Sequence, residues 1–230
     1  MKITILTLFP EMFVGPFDHS IVKRAQEKGL IELKFVNIRD FGLGAHKMVD
    51  DRPFGGGTGM VLRVDVIDHA IQAVRNSSLN KTDEQCVLLD ARGKTYSQII
   101  AHNFSKLKHL ILLCGHYEGV DERIRSLVDA TISIGDFILT GGEIPAMLII
   151  DSVSRLVSGV LKEDATTFES FSTHEGMMLL EYPQYTQPRE YNSMSVPEVL
   201  VGGNHKRIEE WKKEQGILIT KTHRPDLLRE

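Results

Sequence analysis

Apolar positions follow two rhythms along most of this chain. Lys2 to Leu8 is a β-rich run, and DHSIVKRAQEKG after it has helical spacing and stops at Gly29, a residue suited to a helix C-terminus. IELKFVNI predicts a second strand. VDVIDHAIQAV places Val66, Ile67, Ala70, Ile71 and Val74 on one helical face. CVLLD, HLILLCG and ATISI predict further strands, with helices over TYSQIIAHNFSKL and VDERIRSLV between them. A helix over 143–157 carries Pro145 in its first turn, where proline is tolerated. Strands alternating with helices predict an α/β domain, a parallel sheet with helices on both faces.

Two stretches break this rhythm. Arg39 to Gly59 is long and polar and contains six glycines; such a stretch in a compact domain is either functional or disordered. After Ser158, KEDATTFESFSTHEGM has no clear period. The expected organisation is an α/β domain over 1–160, a flexible linker over 161–178 and a small helical domain over 179–230, centred on HKRIEEWKKEQ.

Composition narrows the function classes. The chain has 230 residues, 42% of them hydrophobic, enough for a sizeable core. A formal net charge of −4 argues against non-specific binding to polyanions, though a specific RNA enzyme can concentrate its basic residues locally. Cys86 and Cys114 border apolar runs and read as reduced core residues of a cytosolic protein. No apolar run approaches the ~20 residues that span a bilayer, so no membrane association is expected.

Common chemical motifs are missing. Phe9-Pro10-Glu11 follows the first strand where a dinucleotide fold needs glycines. GKT at Gly93 to Thr95 lacks the first phosphate-loop glycine, since Leu88 stands there, and HEGMM at His174 lacks a second histidine for zinc. Three glycine-bearing loops at expected strand ends remain: DARGK, CGHYEGVDER and SIGDFILTGGEIPAM. Open α/β sheets bind ligands at the C-terminal ends of their strands. Three loops converging there, with apolar side chains and a few carboxylates, suit a flat adenine better than a triphosphate.

VDDRPFGGGTGM, CGHYEGVDER, SIGDFILTGGEIPAM and LLEYPQYTQP, in that order, closely resemble the TrmD family of bacterial tRNA (guanine-N1)-methyltransferases, of the SPOUT class. The resemblance covers nearly the whole chain, including VPEVLVGGNHKRIEEW. It implies a SPOUT α/β fold with a deep trefoil knot, an exception to the rule against threaded loops. It implies S-adenosyl-L-methionine bound bent in the knot, and a homodimer with active sites composed across its interface. The implied substrate is the guanine at position 37 of tRNA, in the anticodon stem-loop, preceded by another guanine.

Matched position by position, the donor contacts are Leu88 and Leu89, then Gly115, Tyr117 and Glu118, then Ser133, Ile134 and Gly135, then Phe137, Ile138 and Leu139, and finally Gly141 and Gly142. His46, Asp50, Arg52 and Gly59 match substrate-binding positions. Differences from the family pattern are His116 for arginine, Phe137 for tyrosine, Thr58 for proline, Gln187 for arginine and Glu169 for aspartate.

The implied reaction moves a sulfonium methyl to guanine N1. That nitrogen carries a proton, so the chemistry asks for a carboxylate base and a fixed cation facing O6. Glu169 matches the base and Arg155 the cation. Taken without the resemblance, Arg155 reads as a partner of a helix C-terminus and Glu169 as a solvated linker charge. No protein cage for a metal is visible; magnesium is an expectation from the family alone. Two rivals stay open: a non-catalytic RNA-binding module, and a SPOUT methyltransferase acting on rRNA.

Overall fold

The computed structural model describes residues 1–162, 165–174 and 177–228. The chain divides into two compact units, Met1–Leu161 and Lys162–Glu230.

The first unit is built on five parallel strands. In chain order its elements are β1 (Lys2–Thr7), α1 (Ser20–Glu27), β2 (Glu32–Asn37), β3 (Asp50–Asp51), β4 (Val61–Leu62), α2 (Val64–Val74), β5 (Glu84–Thr95), α3 (Gln98–Ser105), β6 (His109–Cys114), β7 (Ala130–Ser133) and α4 (Glu143–Ser154). The sheet order is β2-β1-β6-β5-β7, and every pairing in it is parallel. β3 and β4 form a separate antiparallel ladder.

Strand alternation explains why both faces are apolar. Ile3, Ile5, Val87, Leu89, Leu110 and Leu112 pack beneath α1, α3 and α4. Leu6, Cys86, Leu88, Ile111 and Leu113 point the other way, toward α2. All six residues of β6 are buried, as befits a central parallel strand covered on both sides. Burial pushes the Cys86 thiol up to about 12, and drives that of Cys114 well above its ordinary value.

A buried polar cluster sits near the opposite ends of these strands. His109 Nδ1 lies 2.7 Å from Glu84 Oε2, and His109 Nε2 lies 2.9 Å from Thr4 Oγ1. Burial holds the His109 imidazole below its ordinary value, against the opposing pull of Glu84.

The alternating elements match their sequence-based expectations closely, with two differences. β5 does not stop at Asp90 but continues to Thr95, with a register shift between Leu89 and Lys94. DARGK is therefore an irregular part of a strand. Gly93 permits it, because a Cβ there would meet Ile132 N at 2.5 Å. VDERIRSLV forms only a 3₁₀ turn, Glu122–Ser126, capped by the Asp121 side chain accepting from Arg123 N.

The second unit contains more than helix. Its elements are β8 (Ser172–His174), β9 (Met177–Leu179), β10 (Glu190–Tyr191), β11 (Met194–Ser195), α5 (Glu198–Val201) and α6 (His205–His223). β8 pairs with β9 and β10 with β11, both antiparallel. Part of the stretch 161–178, where the sequence shows no period, thus forms a short ladder; residues 163, 164, 175 and 176 lie outside the described residues. Asn204 caps α6 by accepting from Arg207 N, and Thr220 Oγ1 ties it to the end of β9 by accepting from Leu180 N at 2.8 Å. Among the described residues, no helix is long and apolar enough to cross a membrane.

Candidate active site

Three chain segments meet where β5, β6 and β7 end, around a cleft of about 450 Å³. The first is Leu89 to Arg92, the irregular part of β5. The second is Gly115 to Val120, which leaves β6, and the third is Ile132 to Gly142, which joins β7 to α4. The last two are stitched together. Gly142 N donates to Gly115 O at 2.8 Å, and His116 and Gly141 form an isolated antiparallel bridge.

The adjacent glycines 141 and 142 answer to close approach, not to backbone twist. A Cβ at Gly142 would stand 2.7 Å from Cys114 Cα and 2.9 Å from Gly115 N, both backbone atoms. Tyr117, by contrast, is a non-glycine residue in the left-handed region, at φ 60°. Such a conformation persists where surrounding structure holds it, and it recurs at functional sites.

One wall of the cleft is charged. Asp90 lies 3.1 Å from Arg92 Nη2 and 2.9 Å from Arg125 Nη2. Glu122 bridges the same two arginines, at 3.0 Å from each. Burial alone would raise the Asp90 carboxyl, but hydrogen bonds from Arg92 and the two positive charges hold it below the ordinary carboxylate range. The other wall is apolar and open: Phe137, Ile138 and Leu139 are all exposed.

Most expected donor contacts come together here. Leu89, Gly115, Tyr117, Glu118, Ser133, Ile134, Gly135, Phe137, Ile138, Leu139, Gly141 and Gly142 all line the cleft. Leu88 does not. Strand alternation turns it to the opposite face, where it is fully buried. Asp90, Arg92, His116, Glu122 and Thr140 also line the cleft and were not among the expected donor contacts. Their signal was present, because all five fall in the three glycine-bearing segments.

None of the expected substrate residues lines the cleft. Asp50 is half-buried in β3, paired with Leu62, while His46 and Arg52 are exposed. Gly59 touches Glu118, since a Cβ there would meet its Cδ at 2.9 Å. This stretch is anchored to the cleft loop through Glu118 N to Met60 O and Leu62 N to Gly119 O, each 3.1 Å.

The two expected catalytic residues belong to different units. Arg155 caps the C-terminus of α4, its backbone N–H donating to Asp151 O. Glu169 lines a separate cleft of about 330 Å³ in the second unit, with Phe168, Leu179, Tyr182, Glu209, Lys212 and Lys213 among its other residues. No cluster of three or more His, Cys, Asp or Glu suited to a metal ion occurs among the described residues.

Comparison with known proteins bears directly on this arrangement. A family model described as tRNA (Guanine-1)-methyltransferase TrmD matches residues 1–230. A tRNA (guanine-N(1)-)-methyltransferase of Dictyoglomus turgidum is 51% identical over 99% of this chain and 90% of its own length. One of Carboxydothermus hydrogenoformans is 52% identical over 100% of the chain and 88% of its own. One of Staphylococcus epidermidis is 50% identical over 99% and 91%. With the glycine-lined cleft at the strand ends and a family match along its whole length, the chain belongs to the TrmD family of tRNA (guanine-1)-methyltransferases.

Proposed function

We propose that this protein methylates the ring N1 of a guanine in tRNA, with S-adenosyl-L-methionine as donor in the first unit's cleft. The observation that carries the reading is the meeting of three segments at the ends of parallel strands, in a chain of this family. The residues fit such a donor. A cleft of about 450 Å³ lies in the size range of small-ligand sites. Its glycine backbone leaves room for a flat base, and its exposed apolar wall can cover one.

When bound, the donor supplies an electrophilic methyl on a cationic sulfur. Glu169 takes the N1 proton as general base. Arg155 offers a fixed positive charge to the guanine O6, where negative charge gathers as the proton leaves. We read the working enzyme as a homodimer whose sites are composed from both chains, as the family resemblance implies. The exposed Ile144 and Leu148 on α4 supply apolar surface for such a contact.

The specific target in this reading is guanine 37, next to the anticodon and preceded by another guanine. His46, Asp50, Arg52 and Gly59 contact the RNA beside the donor. Any magnesium involved is carried by the RNA rather than a protein cage, and the enzyme works in the cytoplasm. A methylation assay on tRNA transcripts tests the whole reading. The intact transcript accepts a methyl group, and replacing guanine 37 abolishes acceptance. Replacing its 5′ neighbour lowers it sharply. Equal methylation of an rRNA transcript, or none of tRNA, overturns the proposal.

A further inference from the structure

A polar cluster beside the donor cleft has no part in the reaction described above. Glu143 opens α4 and is 2% exposed. Its Oε1 accepts a 2.7 Å hydrogen bond from Thr7 Oγ1, at the end of β1. Its Oε2 lies 3.9 Å from His116 Nδ1, beyond hydrogen-bonding range. That nitrogen is buried and, among the described residues, has no hydrogen-bond partner. Phe9 and Tyr117 flank the imidazole, their ring centroids 4.8 and 4.9 Å away. Gly141 adjoins both groups: a Cβ there would stand 2.6 Å from Nδ1 and would collide with Oε2.

An unpaired buried nitrogen carries a desolvation cost that a partner would remove. The nearest carboxylate oxygen is about 1 Å too far to supply one. One side of this gap is fixed, because Glu143 is anchored by fully buried Thr7 and by its place at the start of α4. The other side is the loop that carries Gly115, Tyr117 and Glu118 into the cleft. We propose that His116 and Glu143 form a latch that closes when the methyl donor fills the cleft. Nδ1–H donates to Oε2, and the loop is drawn onto the start of α4. Both are positioning residues, acting on the donor through the loop. Gly141 is glycine because any side chain would wedge the pair apart. The latch rests on the donor reading of this cleft.

The test uses the full chain and S-adenosylhomocysteine, the neutral product of the donor. Nitrogen-15 spectra of histidine-labelled protein report Nδ1 directly, and His116→Gln assigns the His116 signal. Addition of S-adenosylhomocysteine should move that signal to the position of a protonated, hydrogen-bonded nitrogen. In Glu143→Gln the carbonyl faces Thr7 and the amide NH₂ faces Nδ1, so the shift should be absent. Calorimetry adds a second readout. His116→Leu should bind S-adenosylhomocysteine roughly 10- to 150-fold more weakly, the size expected for one hydrogen bond to a charged group. His116→Asn, whose amide nitrogen falls near the Nδ1 position, should recover most of that loss. Binding to the wild type without a change at Nδ1 overturns the latch and leaves the donor reading intact. Absence of any binding to the wild type overturns both. Unchanged affinity in a folded His116→Leu protein overturns the latch alone.

Discussion

The two clefts are walled by different materials. In the first unit, beside its charged and apolar side chains, part of the wall is glycine backbone packed against backbone, and a Cβ at Gly142 would overlap main-chain atoms. In the second, the wall is made of long side chains: Phe168, Tyr182, Lys212 and Lys213, with carboxylates from Glu169 and Glu209. A backbone wall cannot yield, so it fixes one shape. A wall of flexible side chains re-forms around small changes. The difference suits the proposed division of labour, in which the first cleft would select one donor and the second would supply an adaptable acid–base group.

That division is broken most directly at Glu169. Glu169→Gln keeps the shape and removes the proposed base, so single-turnover methylation should fall about 10²–10⁴-fold. Donor affinity measured by calorimetry should stay within twofold. A matching loss of donor affinity would show that the two clefts do not have separate tasks. Glu169→Asp should retain much of the rate.

Next in size is Gly142→Ala. One methyl group must displace Cys114 or Gly115 backbone, an overpacking cost of about 1–3 kcal/mol, seen as a lower unfolding midpoint together with loss of donor binding. An unchanged midpoint would mean that the backbone wall can give.

A smaller effect follows from His109, whose neutral form the fold favours through burial. The unfolded chain takes up this proton more readily than the folded one. Stability from this group is therefore present above the ordinary imidazole value of 6.5 and is lost as pH falls through the lower folded value. Melting curves from pH 7.5 down to 5 should show the decline, and His109→Gln should flatten it. A steeper decline in the variant would reverse the assignment.

The smallest effect should come from Gly216→Ala in α6. The new Cβ lies 3.1 Å from Leu180 O, a tight contact, while alanine gains up to about 1 kcal/mol of helix preference. The two nearly cancel, and the midpoint should barely move. A loss as large as that of Gly142→Ala would erase the contrast between the walls.

How much of this was legible in sequence depended on the length of each pattern. α2 is legible to the residue, Val64–Val74, because eleven residues hold a full apolar stripe. Strands of two or three residues, such as β8 to β11, are too short to show any period. The end of β5 was hidden because Asp90 to Lys94 is polar and holds a glycine, the composition of a loop. In the first cleft, paired glycines after a strand are a strong local signal, and motif matching supplied most of the lining. Leu88 and Leu89 differ only by the alternation of a strand, which motif matching ignores. The Thr7–Glu143 bond joins residues 136 positions apart, and nothing local to either announces it.

The two native cysteines carry a practical consequence. A thiol attacks reagents as thiolate, and burial keeps both Cys86 and Cys114 from forming it near neutral pH. The chain holds no other cysteine. A cysteine introduced on the surface, for instance Phe54→Cys where the native side chain is fully exposed, would be the one site open to a maleimide dye or spin label. Distance reporters could then be placed on either unit, one at a time, without first stripping the core of its own sulfur.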